Sequence, residues 1–304
     1  MKKEFYSNGK LLITGEYLVL DGAKAFALPT KFGQNLIVEK GNPQEIKWTS
    51  FDADGSIWFE DTFSFLDISN KIITEKSSVR NTLIEILHEG YLLNPEFINK
   101  FEGFKVATEL TFPRNWGLGT SSTLINNIAQ WLAVDAFVLL HNSFGGSGYD
   151  IACAQNDSPI LYHLDNGKPI VEKVAFAPEF AKKLYFVYLD KKQNSKASIT
   201  AYYNNKNKDL ADAIIENNKI TSAVFNAKTL AEFALALEIH EAKMSTILEM
   251  KTVKESLFPD FNGVIKSLGA WGGDFVLAVS EENPTDYFNE KGFRIIVSYE
   301  DMIL

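Results

Sequence analysis

Phe112-Pro113-Arg114-Asn115-Trp116-Gly117-Leu118-Gly119-Thr120-Ser121-Ser122-Thr123 is the stretch on which the reading of this chain turns. Two glycines and a run of four hydroxyl residues lead into a segment with apolar residues at Leu124, Ile125, Ile128, Ala129, Leu132 and Ala133. That spacing predicts one face of a helix. A glycine turn feeding a helix N-terminus presents free backbone N–H groups and the positive end of the helix dipole, a combination that suits a phosphate. Ser121 or Ser122 offers a hydroxyl to the phosphate or to a Mg²⁺ ion. The stretch is neither a Walker loop, which needs a Lys after its second Gly, nor the G-x-G-x-x-G dinucleotide fingerprint. A plain helix cap is the competing reading.

Outward from this loop, the N-terminal part reads as strands: Lys10–Leu20, a hairpin turn at Asp21-Gly22, then Lys24–Pro29, Asn35–Glu39, Glu45–Phe51 and Ser56–Phe59. A short helix is expected over Val79–Leu87, and the strand Phe104–Thr111 runs directly into the loop. A second glycine turn, Gly145-Gly146-Ser147-Gly148, precedes a helix expected from Ile151, for which Asp150 is the candidate N-cap. Strands are expected at Pro159–His163, Ile170–Phe176 and Leu184–Leu189. A long helix is predicted over Lys228–Met250 from Leu230, Phe233, Ala234, Leu237, Met244, Ile247 and Leu248. A third glycine turn, Gly269-Ala270-Trp271-Gly272-Gly273-Asp274, leads into a strand at Phe275–Val279, and Phe293–Tyr299 closes the chain. Strands first and mixed elements later predict an α+β fold, with a first domain over 1–180 and a second over 181–304.

The 304 residues, 46 % hydrophobic and 23 % charged, are ample for a sizeable core. A net charge of −9 with no long basic run excludes a nucleic-acid stripe, and Lys182-Lys183 and Lys191-Lys192 read as solvated surface. The lone Cys153 precludes an internal disulfide and reads as buried packing. The four histidines are scattered without metal spacing, and His240 reads as a packed or exposed helix residue. No apolar run of signal or membrane-span length occurs, so a cytoplasmic protein with a small-molecule substrate is expected, with no nucleic-acid or membrane partner, as monomer or homodimer.

Four segments in order form a pattern: Asn8-Gly9-Lys10 through Gly15-Glu16-Tyr17, then Gly117-Leu118-Gly119-Thr120-Ser121-Ser122, then Gly146-Ser147-Gly148-Tyr149-Asp150 (continuing Ile151-Ala152), then Gly269–Asp274. This order resembles the GHMP small-molecule kinases, in particular their mevalonate kinase and phosphomevalonate kinase branch, as a divergent member with a Gly-Tyr-Asp-Ile-Ala motif. The resemblance implies a two-domain α+β fold, with an N-terminal domain like domain 2 of ribosomal protein S5 and a C-terminal ferredoxin-like α/β sandwich. It implies ATP and Mg²⁺ as cofactors and phosphoryl transfer to a small acceptor. Lys10 falls on the family's N-terminal lysine, which sits beside the catalytic carboxylate in the mevalonate branch. Gly117, Leu118, Gly119, Thr120, Ser121 and Ser122 fall on the loop that wraps the ATP phosphates, with Ser121 on the magnesium ligand. Asp150 falls on the acid proposed to accept the proton of the attacking oxygen. Glu16, Ser147, Gly148, Gly272 and Gly273 fall on segments that serve the substrate.

Gly15-Glu16-Tyr17, the Gly-Ser-Gly-x-Asp form and the Gly-Gly-Asp ending lean toward phosphomevalonate as acceptor, with mevalonate second. Lys191, Lys192 and Lys196 lie in a loop whose family counterpart sits near the substrate. The chain also departs from the pattern. Asn8 replaces a Pro, Thr120 a Ser, and Trp271 a Gly, an indole expected to narrow the pocket. The 27 residues 123–149 lack the Glu that usually binds Mg²⁺ and hold a single acid, Asp135. These departures keep a non-catalytic nucleotide or metabolite binder beside the kinase, and an ATP-dependent diphosphomevalonate decarboxylase, a branch that shares the loop and the acid, stands as a further alternative.

Overall fold

The computed structural model describes the chain except residues 1, 74–77, 100–101, 192–201, 203–209, 270 and 272, and the side chain of residue 99. It is an α+β protein of two compact units, both discontinuous in sequence: 1–9, 32–114 and 118–155 in the first, 10–31, 115–117 and 156–304 in the second. The expected cut near residue 180 falls inside the second unit.

Two long strands, β1 (Lys3–Thr14) and β2 (Ala25–Gly41), contribute to both units. In the first unit, β3 (Glu45–Phe51) and β4 (Ile57–Ser64) form an antiparallel pair. The helices α1 (Phe65–Ser69), α2 (Val79–Leu93) and α3 (Glu96–Asn99) follow. Strand β5 (Gly103–Leu110) then inserts between β3, which it pairs in parallel, and the C-terminal part of β2, which it pairs antiparallel. Period-two alternation sends Ile46 and Trp48 of β3 and Val106 of β5 into the core. There they meet Leu83, Ile84 and Leu87 of α2 and Ile125, Ile128, Ala129 and Leu132 of α4 (Thr120–Leu132). Burying each large apolar side chain of this kind contributes roughly 1.5–3 kcal/mol. Helix α5 (Ala136–Ser143) and the short α6 (Tyr149–Ala154) complete the unit.

In the second unit, the N-terminal part of β2 pairs with β6 (Ile160–Asp165), and β6 with β7 (Lys168–Lys173). A separate antiparallel sheet has the order β11-β8-β10-β9, from β8 (Leu184–Tyr188), β9 (Val264–Ser267), β10 (Phe275–Val279) and β11 (Ile296–Ser298). Its helices are α7 (Ala211–Asn226), α8 (Leu230–Leu248), α9 (Val253–Leu257), α10 (Thr285–Glu290) and α11 (Tyr299–Met302). Both α8 and α9 begin with a Thr/Glu capping box, at Thr229/Glu232 and Thr252/Glu255.

The strand expected over Lys10–Leu20 stops at Thr14, and Asp21-Gly22 is not a hairpin turn. The chain turns at Gly15 (φ 92°), where a Cβ would fall 2.7 Å from the Lys24 carbonyl oxygen and 2.8 Å from the Ala25 α-carbon. A 3₁₀ turn over Leu18–Asp21 follows, closed by Gly22 in the left-handed region. Only a glycine allows that approach.

Candidate active site

The turn after β1 is strained. The Leu18 amide donates to the Glu16 carbonyl at 2.6 Å, closing a three-residue γ-turn, and Tyr17 at its centre has φ 58° and ψ −48°. This form of γ-turn is rare, and a non-glycine residue held there costs roughly 1–3 kcal/mol. A buried cluster surrounds it. Glu16 (1 % exposed) pairs with the ammonium of Lys266 (0 % exposed), which lies 3.2 Å from the Glu241 carboxylate. Glu241 accepts the Ser267 amide at 3.2 Å and its hydroxyl at 2.5 Å. His240 Nε2 accepts the Gly15 amide at 3.2 Å and lies 3.4 Å from the second oxygen of Glu16. Burial raises the Glu16 carboxyl to about 7 although Lys266 pulls it down. Burial, with the Lys266 charge, holds the His240 imidazole well below its ordinary value.

The third glycine turn begins directly after this cluster. Trp271 is buried against Leu18, Ala23, Tyr202 and Met244, its indole N–H donating to the Lys251 carbonyl at 3.1 Å. Its backbone amide donates to the Tyr17 hydroxyl at 3.3 Å. At the end of the turn Asp274 (φ 52°) donates its amide to the Lys191 carbonyl at 2.7 Å. Its carboxyl lies against the backbone of Gly117, where a Cβ would fall 2.3 Å from Cγ. The Gly117 carbonyl in turn accepts the Lys10 ammonium at 3.1 Å. Beside it, Trp116 packs edge-on against Phe275 at 5.4 Å, and Tyr188 donates its hydroxyl to the Asn115 carbonyl at 3.1 Å. Lys10, Gly117 and Asp274, far apart in sequence, thus meet within the second unit.

In the first unit, α4 opens at Gly119 (φ 100°), which gives its first turn no side-chain cap. The leading amides of Thr120, Ser121 and Ser122 have no helical acceptor, as at any helix start. Ser122 spends its hydroxyl on the Gly119 carbonyl at 2.9 Å, whereas the exposed Ser121 has no side-chain hydrogen bond among the described residues. A polar seam fixes this helix: Thr123 donates to the Gln34 side chain at 2.8 Å, Ser7 to Asn127 at 2.7 Å, and Asn126 to Ser7 at 2.8 Å. Gln155, following α6, donates to Asn126 at 3.0 Å. Helix α6 opens at Gly148 (φ 89°) and carries the half-buried Asp150 in its first turn, with the Ile151 amide 3.0 Å from Oδ1.

No family model matches the sequence, and no curated protein matches it. Solved structures do match along nearly the whole chain. Mevalonate kinase from Methanococcus jannaschii is 15 % identical with a TM-score of 0.69, over 98 % of this chain and 96 % of that one. Streptococcus pneumoniae phosphomevalonate kinase, in complex with phosphomevalonate and AMPPNP, gives 16 % and 0.69, over 97 % and 99 %. Lactococcus lactis galactokinase complexed with galactose gives 14 % and 0.67, over 95 % and 88 %. The chain has the GHMP-kinase fold.

Within this GHMP fold several expectations change. Asp150 is not an N-cap: α6 starts at Tyr149, two residues earlier than expected, because Gly148 supplies the left-handed turn. Trp271 points into the core instead of narrowing a pocket. Glu16 is turned inward onto Lys266, so its carboxylate acts inside the protein. Asp135, the one acid of 123–149, caps α5 through the Phe137 and Val138 amides. Ser147 lies half-buried before α6, and Gly273 is buried in the third turn. Gly272, Lys192 and Lys196 lie outside the described residues. Among the described residues no group of three His, Cys, Asp or Glu could hold a metal ion. Lys266 and Glu241 carry little signal in the sequence beyond a Lys within an apolar run.

Proposed function

We propose that this chain is an ATP-dependent phosphotransferase acting on a small anionic acceptor, with phosphomevalonate first and mevalonate second. The observation that carries this reading is the uncapped N-terminus of α4 at the end of the Gly-Leu-Gly-Thr-Ser-Ser loop. Unpaired first-turn amides and the helix dipole suit the β- and γ-phosphates of ATP. The likeness to a phosphomevalonate kinase solved with phosphomevalonate and AMPPNP supports both ligands.

Phosphoryl transfer needs positioning and charge neutralisation more than covalent help. In this reading Gly117, Leu118, Gly119, Thr120, Ser121 and Ser122 cradle the phosphates. Lys10, tethered to the Gly117 carbonyl, supplies positive charge to the transferred group. Asp150 accepts the proton of the attacking oxygen. Ser147, Gly148 and Gly273 border the acceptor, and Glu16 serves it indirectly. The exposed Ser121 hydroxyl would be this chain's ligand to Mg²⁺, which would supply charge neutralisation at the phosphates.

Coupled-enzyme measurement of Mg²⁺-ATP consumption against mevalonate, phosphomevalonate and diphosphomevalonate tests the reading. Phosphomevalonate-dependent ADP release without CO₂ is expected. Release of CO₂ would assign the decarboxylase instead.

A further inference from the structure

We infer that Glu16 and Lys266 are positioning residues: their buried pair, together with Tyr17, holds Trp271 and Asp274 of the third glycine turn so that Asp274 meets the Gly117 backbone. The consequence for turnover rests on the phosphotransfer reading; the placement of the turn does not.

Lys266 is fully buried between two carboxylates, and buried ion pairs contribute little net stability because desolvation offsets their attraction. An apolar trio would fill the space as well. What an apolar trio would lack is direction. Glu16 opens the strained γ-turn, and Lys266 lies two residues before Leu268, where the third glycine turn departs from β9. The pair therefore ties the end of β1 to the entrance of that turn. Tyr17, the strained residue itself, ties it a second time by accepting the Trp271 amide. The Trp271 ring closes the arrangement, 5.9 Å from the Lys266 ammonium.

Each partner is also braced from behind. His240 accepts the Gly15 amide, and Glu241 accepts both the amide and the hydroxyl of Ser267. At the far end of the turn, the Asp274 carboxyl abuts Gly117, whose carbonyl holds Lys10. Every link in this chain of contacts lies within the second unit. The strain at Tyr17 is tolerated because the surrounding contacts over-determine it.

Hydrogen exchange on the full-length protein tests this without any acceptor. The Glu16→Gln variant keeps the shape but removes the charge facing Lys266. The Ser267, Leu268 and Asp274 amides are expected to exchange about tenfold faster than in the unmodified protein, while those of α4 keep their rates. Unchanged rates at these three amides, or a uniform acceleration of all amides, would overturn the proposal. If Glu16→Gln does not fold, Tyr17→Phe removes only the hydroxyl that receives the Trp271 amide. That amide is then expected to exchange about threefold faster, and an unchanged rate would overturn the proposal too. Because exchange is read without catalysis, a protein inactive on every acceptor would sink the phosphotransfer reading and leave this result standing.

Discussion

The Asp274 carboxyl occupies the space where any side chain at Gly117 would begin, 2.3 Å from an ideal Cβ. Gly117 also has φ 69°, which other residues adopt only with strain. Gly117→Ala is therefore expected to cost roughly 1–3 kcal/mol, read as a lowered unfolding midpoint in denaturant. Asp274→Ala in the same chain makes room and should recover part of that loss. Full additivity of the two losses would contradict the contact.

Asp150→Asn keeps the size of the side chain and its contact with the Ile151 amide while removing the carboxylate proposed as the base. Turnover should fall by about 10²–10⁴-fold, with ATP affinity by calorimetry unchanged.

The two serines at the start of α4 should separate cleanly. Ser121 is exposed, so Ser121→Ala should leave the melting temperature in place and raise the Mg²⁺ concentration needed for turnover. Ser122 is buried and bonded to the Gly119 carbonyl, so Ser122→Ala should lower stability by about 1 kcal/mol without a specific Mg²⁺ effect.

Trp271→Gly restores the residue usual in the resembling kinases and should not open a pocket. It removes a buried indole from Leu18, Ala23, Tyr202 and Met244. A loss of about 3–5 kcal/mol is expected, and a gain in activity without that loss would show the indole pointing outward.

Glu16 and His240 should compensate each other's pH dependence. Folding raises Glu16 from 4.5 to about 7, so the folded state takes up a proton there, and that contribution to stability falls as pH rises through this window. His240 is held well below 6.5, so folding releases a proton there, and its contribution falls as pH drops below 6.5. Between about 4.5 and 6.5 the two slopes oppose. Removing Glu16 as Glu16→Gln should make stability rise with pH by up to about 1.4 kcal/mol per unit relative to the unmodified protein. His240→Gln should tilt the slope the other way. Parallel curves for all three proteins would contradict the assignment.

Much of this was legible in the sequence, for identifiable reasons. Where one pattern governed, the elements came out close to their bounds. Strand β10 follows its apolar run, β3 its alternation, and α4 its Ile125-Ile128-Leu132 spacing. The misreadings occur where tertiary contacts override local preference. Val19 and Leu20 look like strand residues, but Gly15 must approach the backbone of residues 24 and 25, and the chain turns before them. Asn126 and Asn127 lie outside the apolar set predicted for α4 and are nevertheless buried, because Ser7 and Gln34 supply their partners from distant strands. Lys10 and Asp274 were read from motifs, but their meeting at Gly117 depends on three chain segments that no spacing reveals. The Lys266 pair stayed hidden because neither Glu16 nor Glu241 lies near it in sequence.

ADP formation from Mg²⁺-ATP with phosphomevalonate, run beside mevalonate, homoserine and simple sugars with Asp150→Asn as the control, separates phosphotransfer from nucleotide binding. Phosphomevalonate-dependent turnover that is lost in the control is the predicted result. ATP binding without turnover on any acceptor would contradict it and assign the chain to nucleotide binding alone.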